Sequence, residues 1–370
     1  MKVVVCGAGA IGAASAFYLT RAGVEVVLVE RTGVACAASG KAGGFLARDW
    51  CDGGPLQSLA RRSFDLHATL AKDFANPWGY RRMTTFGGAR TRGPTSSLVD
   101  WVGPTIGIAQ RLGDVETTAQ VHPALFTRGL ASIAVNEGAS LVNGEVTGFL
   151  READGRVRGV VMEEEHIDAD AVLVAMGPWS ILAAQWIDLP AVYGLKGHSL
   201  VFNTHDEIPP EALFLEYRTV DGATVTPEVF PRPDGTTYIC GLSGDGPLPV
   251  DPADVRADED AFARLLAVCS DISPAFGESR VIARQTCFRP VTRDGLPLMG
   301  AVPSAPGAFV ATGHSVWGIL NAPASGEAMA ALITGAEPAV DLAPFDPARL
   351  PPIRIDADNF KPTYARGPSR

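Results

Sequence analysis

Apolar and polar positions change period along this chain, and the changes mark out its elements. Residues 3–5 form a short, wholly apolar run, the signature of a buried strand. Residues 10–22 carry Ala and other apolar residues along their length, which predicts a helix, and Glu25–Val29 reads as the next, parallel strand. The chain therefore opens as strand, helix, strand. Leu56, Leu59, Phe64, Leu66, Leu70 and Phe74 lie near helical spacing and predict a helix over 56–75. Another is predicted over 122–137, entered at His122-Pro123. Strands follow at Ser140–Val142, Val146–Arg151 and Arg156–Met162, the last two joined by a turn at Asp154-Gly155. Residues 171–175 are continuously apolar, as when both faces of a strand are covered.

Between about 195 and 245 the pattern shifts to several strands: Ser199–Phe202, Leu213–Tyr217, Glu228–Pro231 and Thr237–Gly241. Asp221-Gly222 and Asp234-Gly235 supply turns. This predicts a mainly antiparallel second domain, followed by an amphipathic helix over 258–269. From about 281 the strand–helix style returns, with a strand at Ala308–Ala311 and a helix at Ile319–Ile333. Residues 338–370 are proline-rich with little periodicity, and predict an extended wrap with a frayed end.

Composition narrows this picture. A chain of 370 residues, 46% hydrophobic, exceeds the usual single-domain size and favours two interlocked domains. A net charge of −10 argues against nucleic acid or an anionic membrane as partner. The cysteines at 6, 36, 51, 240, 269 and 287 form no Cys-x-x-Cys pair and no zinc-like spacing with His. No metal site is expected, and scattered reduced thiols point to the cytoplasm. The first residues begin like a signal peptide, but Gly7, Gly9 and Gly12 break the apolar run. No apolar stretch is long enough to predict a membrane span.

Gly7-Ala8-Gly9-Ala10-Ile11-Gly12 follows a strand and opens a helix. In such a turn the first glycine allows the bend and the second lets a pyrophosphate approach the backbone. The third lets helix and strand pack closely. The helix N-terminus then offers free N–H groups to the phosphates. Glu30 ends the second strand, where a carboxylate can bind ribose hydroxyls and disfavours a 2′-phosphate. The small residues of Ala37–Gly44 then allow a backbone to cross an extended cofactor, which favours FAD over NAD.

With these residues the sequence resembles the D-amino-acid oxidase family of flavoenzymes, which includes glycine oxidase and sarcosine oxidase. The resemblance rests on the N-terminal turn with Glu30, the loop Ala38–Gly44, the run Val174–Ser180, and a C-terminal block. That block runs from Arg289-Pro290 through Asp294-Gly295-Leu296-Pro297 and Gly300 to Gly313–Ile319 and Ala322–Glu327. It implies an α/β fold: a Rossmann-type FAD-binding domain, glutathione-reductase-like, with a second, mainly antiparallel β substrate domain. The first would take residues 1–80, 118–190 and 285–345, the second 81–117 and 191–284, with 346–370 as an extended tail. The cofactor residues it implies are Gly7, Gly9, Ala10, Ile11, Gly12, Glu30, Arg31, Ser39, Lys41, Ala42, Gly43, Gly44, Val146, Ala175, Gly177, Trp179, Cys287, Gly313, His314, Gly318, Ile319 and Leu320. Within this set Val146 would touch adenine, and Gly318–Leu320 would aim helix N–H groups at the flavin C2 carbonyl. A reduced flavin carries negative charge there, which such a helix end favours.

The resemblance places Arg289 where glycine oxidase holds the substrate carboxylate, and a guanidinium fork suits that role. A second arginine of glycine oxidase is replaced here by Val316, which points away from glycine-like substrates towards a different or larger amine. Cys287 matches the covalent flavin link of sarcosine oxidase-like members. The Arg-Pro and Asp-Gly-x-Pro residues resemble the non-covalent branch instead, so FAD is expected non-covalent, with a Cys287 link as the alternative. Glu228 and Phe230 share one face of a strand expected to line the substrate cavity, where a carboxylate suits a cationic substrate; a solvated face is the other reading. Trp50 and Trp317 are read as cavity walls or plain core, His198 and His314 as structural, and Lys196 as a surface or domain-junction residue. The expected reaction is oxidation of the C–N bond of an amino acid or secondary amine to an imine, by hydride transfer to flavin N5. Its electrons would pass to oxygen or another acceptor. The alternatives are a FAD protein serving assembly or trafficking, and an NAD(P)H-dependent FAD monooxygenase.

Overall fold

The computed structural model describes residues 1–163, 165–220 and 222–353. Its first sheet has six strands in the order Leu298–Ala301, Ala308–Thr312, Ala171–Val174, Lys2–Cys6, Glu25–Glu30, Ser140–Asn143. Neighbours are parallel except the first pair. Alternation decides what each face meets. Val3 and Val5 pack with Phe17, Phe126 and Leu320 beneath the helices Ala10–Arg21, Pro123–Asn136 and Gly318–Thr334. Val4 and Cys6 turn the other way, onto Val157, Val160 and Met162 of a three-stranded antiparallel sheet. Each such fully buried valine contributes about 1.5–3 kcal/mol relative to exposure.

The second sheet runs Val281–Val291, Tyr193–Asn203, Thr236–Gly244, Glu228–Pro231, Glu211–Arg218, Thr84–Arg90, Ile106–Gly113. Only the pairing of Glu211–Arg218 with Thr84–Arg90 is parallel in this order. The helix Ala261–Ile272 covers one face through Leu265, Val268, Cys269 and Ile272. The opposite face carries Val201, Phe230, Tyr238 and Cys240. Together these layers form the expected α/β architecture, a Rossmann-type sheet beside a mainly antiparallel one.

Several elements depart from the periodicity reading. The strands Thr84–Arg90 and Ile106–Gly113 escaped it, since Gly87 and Gly88 dilute the first and the second is an edge strand exposing Ala109, Gln110 and Arg111. The Val281–Val291 strand pairs throughout with Tyr193–Asn203, so residues 285–291 sit in the second sheet rather than the first. Residues 343–349 of the tail form two short helical turns rather than an extended stretch, anchored where Phe345 is fully buried and Arg349 grips Asp294 at 2.7 and 3.0 Å. Residues 354–370, and Asp221 of the expected turn, lie outside the described residues. Among those described, no helix is long and apolar enough to cross a membrane.

Candidate functional site

A cleft of about 340 Å³ opens between the two sheets at the carboxyl ends of the parallel strands, where Cys6, Glu30 and Ala175 line it. Gly7 makes the first bend with φ +103°, and a Cβ there would come 2.6 Å from the Ala175 carbonyl oxygen. A Cβ on Gly12 would lie 1.8 Å from the Gly7 oxygen. Gly12 therefore stands behind the turn and sets helix–strand packing, while Gly9, Ala10 and Ile11 form the wall. Gly9 provides no side-chain cap for the helix and its first turn holds no acid. Ser39 Oγ accepts the Ala10 N–H at 2.8 Å.

Glu30 is held at this end by backbone donors, from Ala8 at 2.8 Å, Thr32 at 2.9 Å and Gly33 at 3.2 Å. Val146, Gly177 and Trp179 line the same end, with the Trp179 indole donating to the Pro249 carbonyl at 2.8 Å. Arg31 also lines the cleft, but its guanidinium pairs with Glu145 at 3.1 Å and Asp251 at 3.3 Å. It thereby ties the segment carrying Val250 and Pro252, two more wall residues, across the opening.

The loop at 38–44 presses its backbone against both halves. A Cβ on Gly43 would meet the Phe230 ring at 2.2 Å, and one on Gly44, at φ +80°, the Val121 oxygen at 2.0 Å. Lys41 and Ala42 lie along the cleft, and Lys41 Nζ donates to the Thr286 carbonyl at 3.1 Å.

Beyond this loop the wall becomes aromatic. Phe45 stacks on Phe230 at 5.3 Å, Trp50 tilts against Phe214 at 4.9 Å, and Trp50 and Trp317 meet edge to face at 6.4 Å. The register Glu228↔Cys240 and Phe230↔Tyr238 brings these four to the cleft. Cys240 Sγ donates to Glu228 Oε2 at 3.4 Å. Burial pushes the Glu228 carboxyl up, and nearby Arg289 opposes it. Burial works against the charge on Arg289, but Cys240, Tyr238 and Glu228 around it leave its pKa raised. Among the described residues, no hydrogen bond or ion pair is made by the Arg289 guanidinium. Cys287, two residues earlier on the same strand, lines the cleft with its thiol pushed up by burial and held back by Arg289 and Lys41.

At the same end the chain turns at Gly313 (φ +79°) into the helix Gly318–Thr334. His314, Trp317, Gly318 and Ile319 line the cleft, whereas Gly313 and Leu320 lie behind it. This helix start also lacks a side-chain cap and an acidic first turn. His314 is buried, bonds Ser325 Oγ at 3.0 Å through Nε2, and is pushed down to about 3, so it stays neutral. His198 Nε2 accepts the Asp258 N–H at 3.1 Å, and burial lowers its pKa. Lys196 is not at the surface: it is 7% exposed and pairs with Asp258.

Sequence reasoning did not assign Phe45, Phe214, Tyr238 and Cys240 to the site. The signal for the last two was present, because Asp234-Gly235 is a hairpin turn and 228/240 and 230/238 are numbered symmetrically about 234. The arrangement fits FAD. Two helix N-termini with no acid in their first turns open on one elongated cleft, one suited to a diphosphate and the other to the electron-rich edge of a flavin.

Comparisons agree with this fit. A family model described as DAO, FAD dependent oxidoreductase, matches residues 2–332. A protein of Schizosaccharomyces pombe is 30% identical, over 94% of this chain and 97% of its own. A glycine oxidase of Pseudomonas aeruginosa is 27% identical, over 94% and 98% respectively. Among solved structures, glycine oxidase from Geobacillus kaustophilus superposes with TM-score 0.78 at 25% identity, covering 94% of this chain and 98% of that one. L-amino acid deaminase from Proteus vulgaris shares the fold, with TM-score 0.77 at 18% identity over 94% and 97%.

Proposed function

Because this chain belongs to the DAO family of FAD-dependent oxidoreductases, we propose that it oxidises the C–N bond of an amino acid or secondary amine to an imine. When bound, FAD supplies the two-electron acceptor for the hydride leaving the substrate carbon. In this reading Glu30 holds the ribose and Gly7–Ile11 the pyrophosphate, with Gly318–Leu320 facing the pyrimidine edge. Val146, the 39–44 loop, Ala175, Gly177 and Trp179 complete the walls.

The observation that carries the substrate class is Arg289. A guanidinium inside a cleft, free of protein hydrogen bonds and ion pairs among the described residues, is set up to take a carboxylate through its two-pronged fork. Glu228 faces the same space and offers a partner for the amine. Its raised pKa suits it to accept a proton from an arriving ammonium, leaving the neutral amine that hydride loss requires. Trp317 and the aromatic wall exclude water and orient the carbon chain. Val316, 55% exposed at the cleft mouth, adds no second cation and leaves room for a larger substituent. The six free cysteines support a cytoplasmic location.

The test is an anaerobic screen of amino acids and amines against the holoenzyme, followed at the flavin absorption band. Bleaching by a carboxylate-bearing amine is expected. Absence of reduction by every amine, or direct reduction by NADPH, would overturn the reading. Oxygen uptake against dye reduction then identifies the electron acceptor.

A further inference from the structure

The helix Gly318–Thr334 has a defect close to its start. Pro323 lies inside it and has no N–H, so the Ile319 carbonyl loses its partner four residues on. The neighbouring helix Gln57–Asp73 covers this defect with two side chains. His67 Nε2 donates to the Ile319 carbonyl at 2.9 Å and to the Leu320 carbonyl at 3.2 Å. Carbonyls only accept, so Nε2 carries a proton, while buried Nδ1 has no acceptor to hold a second and the neutral ring is favoured. Burial favours that state, pushing His67 down to about 4. Ser63, one turn earlier on the same face, accepts the Ala324 N–H at 3.0 Å. Both residues are 0% exposed, and neither lines the cleft.

These bonds straddle the defect: His67 grips the carbonyls before Pro323, and Ser63 the N–H after it. The short turn so held is the one whose Gly318 and Ile319 form the cleft wall. We propose that Ser63 and His67 are positioning residues, fixing the first turn of this helix so that its N-terminal N–H groups present a defined field to the flavin's pyrimidine edge. The proposal rests on the reading that Gly318–Leu320 face that edge. A loosened turn would stabilise the extra negative charge of the reduced cofactor less, because a helix-end interaction falls off within the first turn.

The experiment measures the two-electron midpoint potential of bound FAD in the holoenzyme, with FAD affinity and thermal stability alongside. His67→Phe is expected to lower the ratio of reduced to oxidised FAD affinity roughly tenfold, a shift of about 30 mV to more negative potential. His67→Gln, which keeps an N–H donor, is expected to recover most of this. Ser63→Ala is expected to shift the potential less but in the same direction, and it remains informative where His67→Phe fails to fold. If folded variants lose thermal stability while the potential stays at the wild-type value, the residues only pack and the proposal is overturned. A wild-type potential no higher than that of free FAD would instead remove the helix-end reading itself, and this proposal with it. A raised wild-type potential that the variants leave unmoved removes the clamp alone.

Discussion

The Cys240 thiol donates to Glu228 Oε2 at 3.4 Å, and among the described residues no other hydrogen bond reaches this carboxylate. A thiol is a weak donor, so the carboxylate enters the cleft under-stabilised. Its raised pKa means that folding favours the protonated form. The sign follows: wild-type stability falls relative to Glu228→Gln as pH rises through that raised value, and the two converge in acid. Denaturant unfolding of both proteins between pH 4 and 8 is expected to show the variant ahead at pH 8, by on the order of 1 kcal/mol. The same variant should lower kcat/KM for an amino acid roughly 10–100-fold, the effect of a lost charged hydrogen bond of about 1.5–3 kcal/mol.

Arg289→Lys keeps the charge and loses the fork. Steady-state kinetics with the best substrate of the screen should show KM raised roughly tenfold or more, with FAD content unchanged. An amine lacking a carboxylate should be far less affected, since it makes no use of the fork.

Gly12→Ala puts a methyl group 1.8 Å from the Gly7 carbonyl oxygen, and this contact is backbone to backbone. The turn and the helix must separate. A loss of about 3 kcal/mol in urea unfolding is expected, together with purification as colourless apoprotein.

His67 and His314 are held neutral, at about 4 and about 3, against an ordinary value of 6.5. Their contribution to stability is complete above pH 6.5 and is lost as pH falls towards the folded values. Within that window each adds a slope of about 1.4 kcal/mol per pH unit. Unfolding free energies measured from pH 7 to 4.5 should show this acid slope, and His314→Gln should remove one proton's share of it.

Cys287 lies in the cleft with its thiol pushed up by burial, which opposes the thiolate that a covalent flavin link requires. Acid precipitation of the holoenzyme should leave a yellow supernatant. Yellow colour retained in the pellet and absent from Cys287→Ala would reverse this.

What could be read from sequence follows from how local each feature is. Gly7, Gly9, Gly12 and Glu30 lie within one strand–helix–strand unit, so spacing alone revealed their geometry. The middle strand carrying Glu228 and Phe230 was equally legible, because turn and alternation are local signals. The far wall was not. Phe45 and Phe214 meet at 5.1 Å across 169 positions of sequence, and no period connects them. The surface reading of Lys196 failed for a related reason: its partner Asp258 comes from a different stretch of chain, and without it a buried lysine is unexpected. Arg31 entered through the resemblance, while Glu145 and Asp251, which engage its guanidinium, are remote in sequence.

The chain moves back and forth between its two larger sheets: strands within 2–30 lie in the first, those within 84–113 in the second, Ser140–Asn143 and Ala171–Val174 in the first, those within 193–291 in the second, and those within 298–312 back in the first. On a ribosome this order has a consequence. The glycine turn emerges well before the Ala308–Thr312 strand that flanks Ala171–Val174 and the helix start that closes the far end. Until these later segments appear, nascent chains would carry half a cofactor site. A truncation before residue 318 would yield a protein that has the phosphate turn yet retains no flavin.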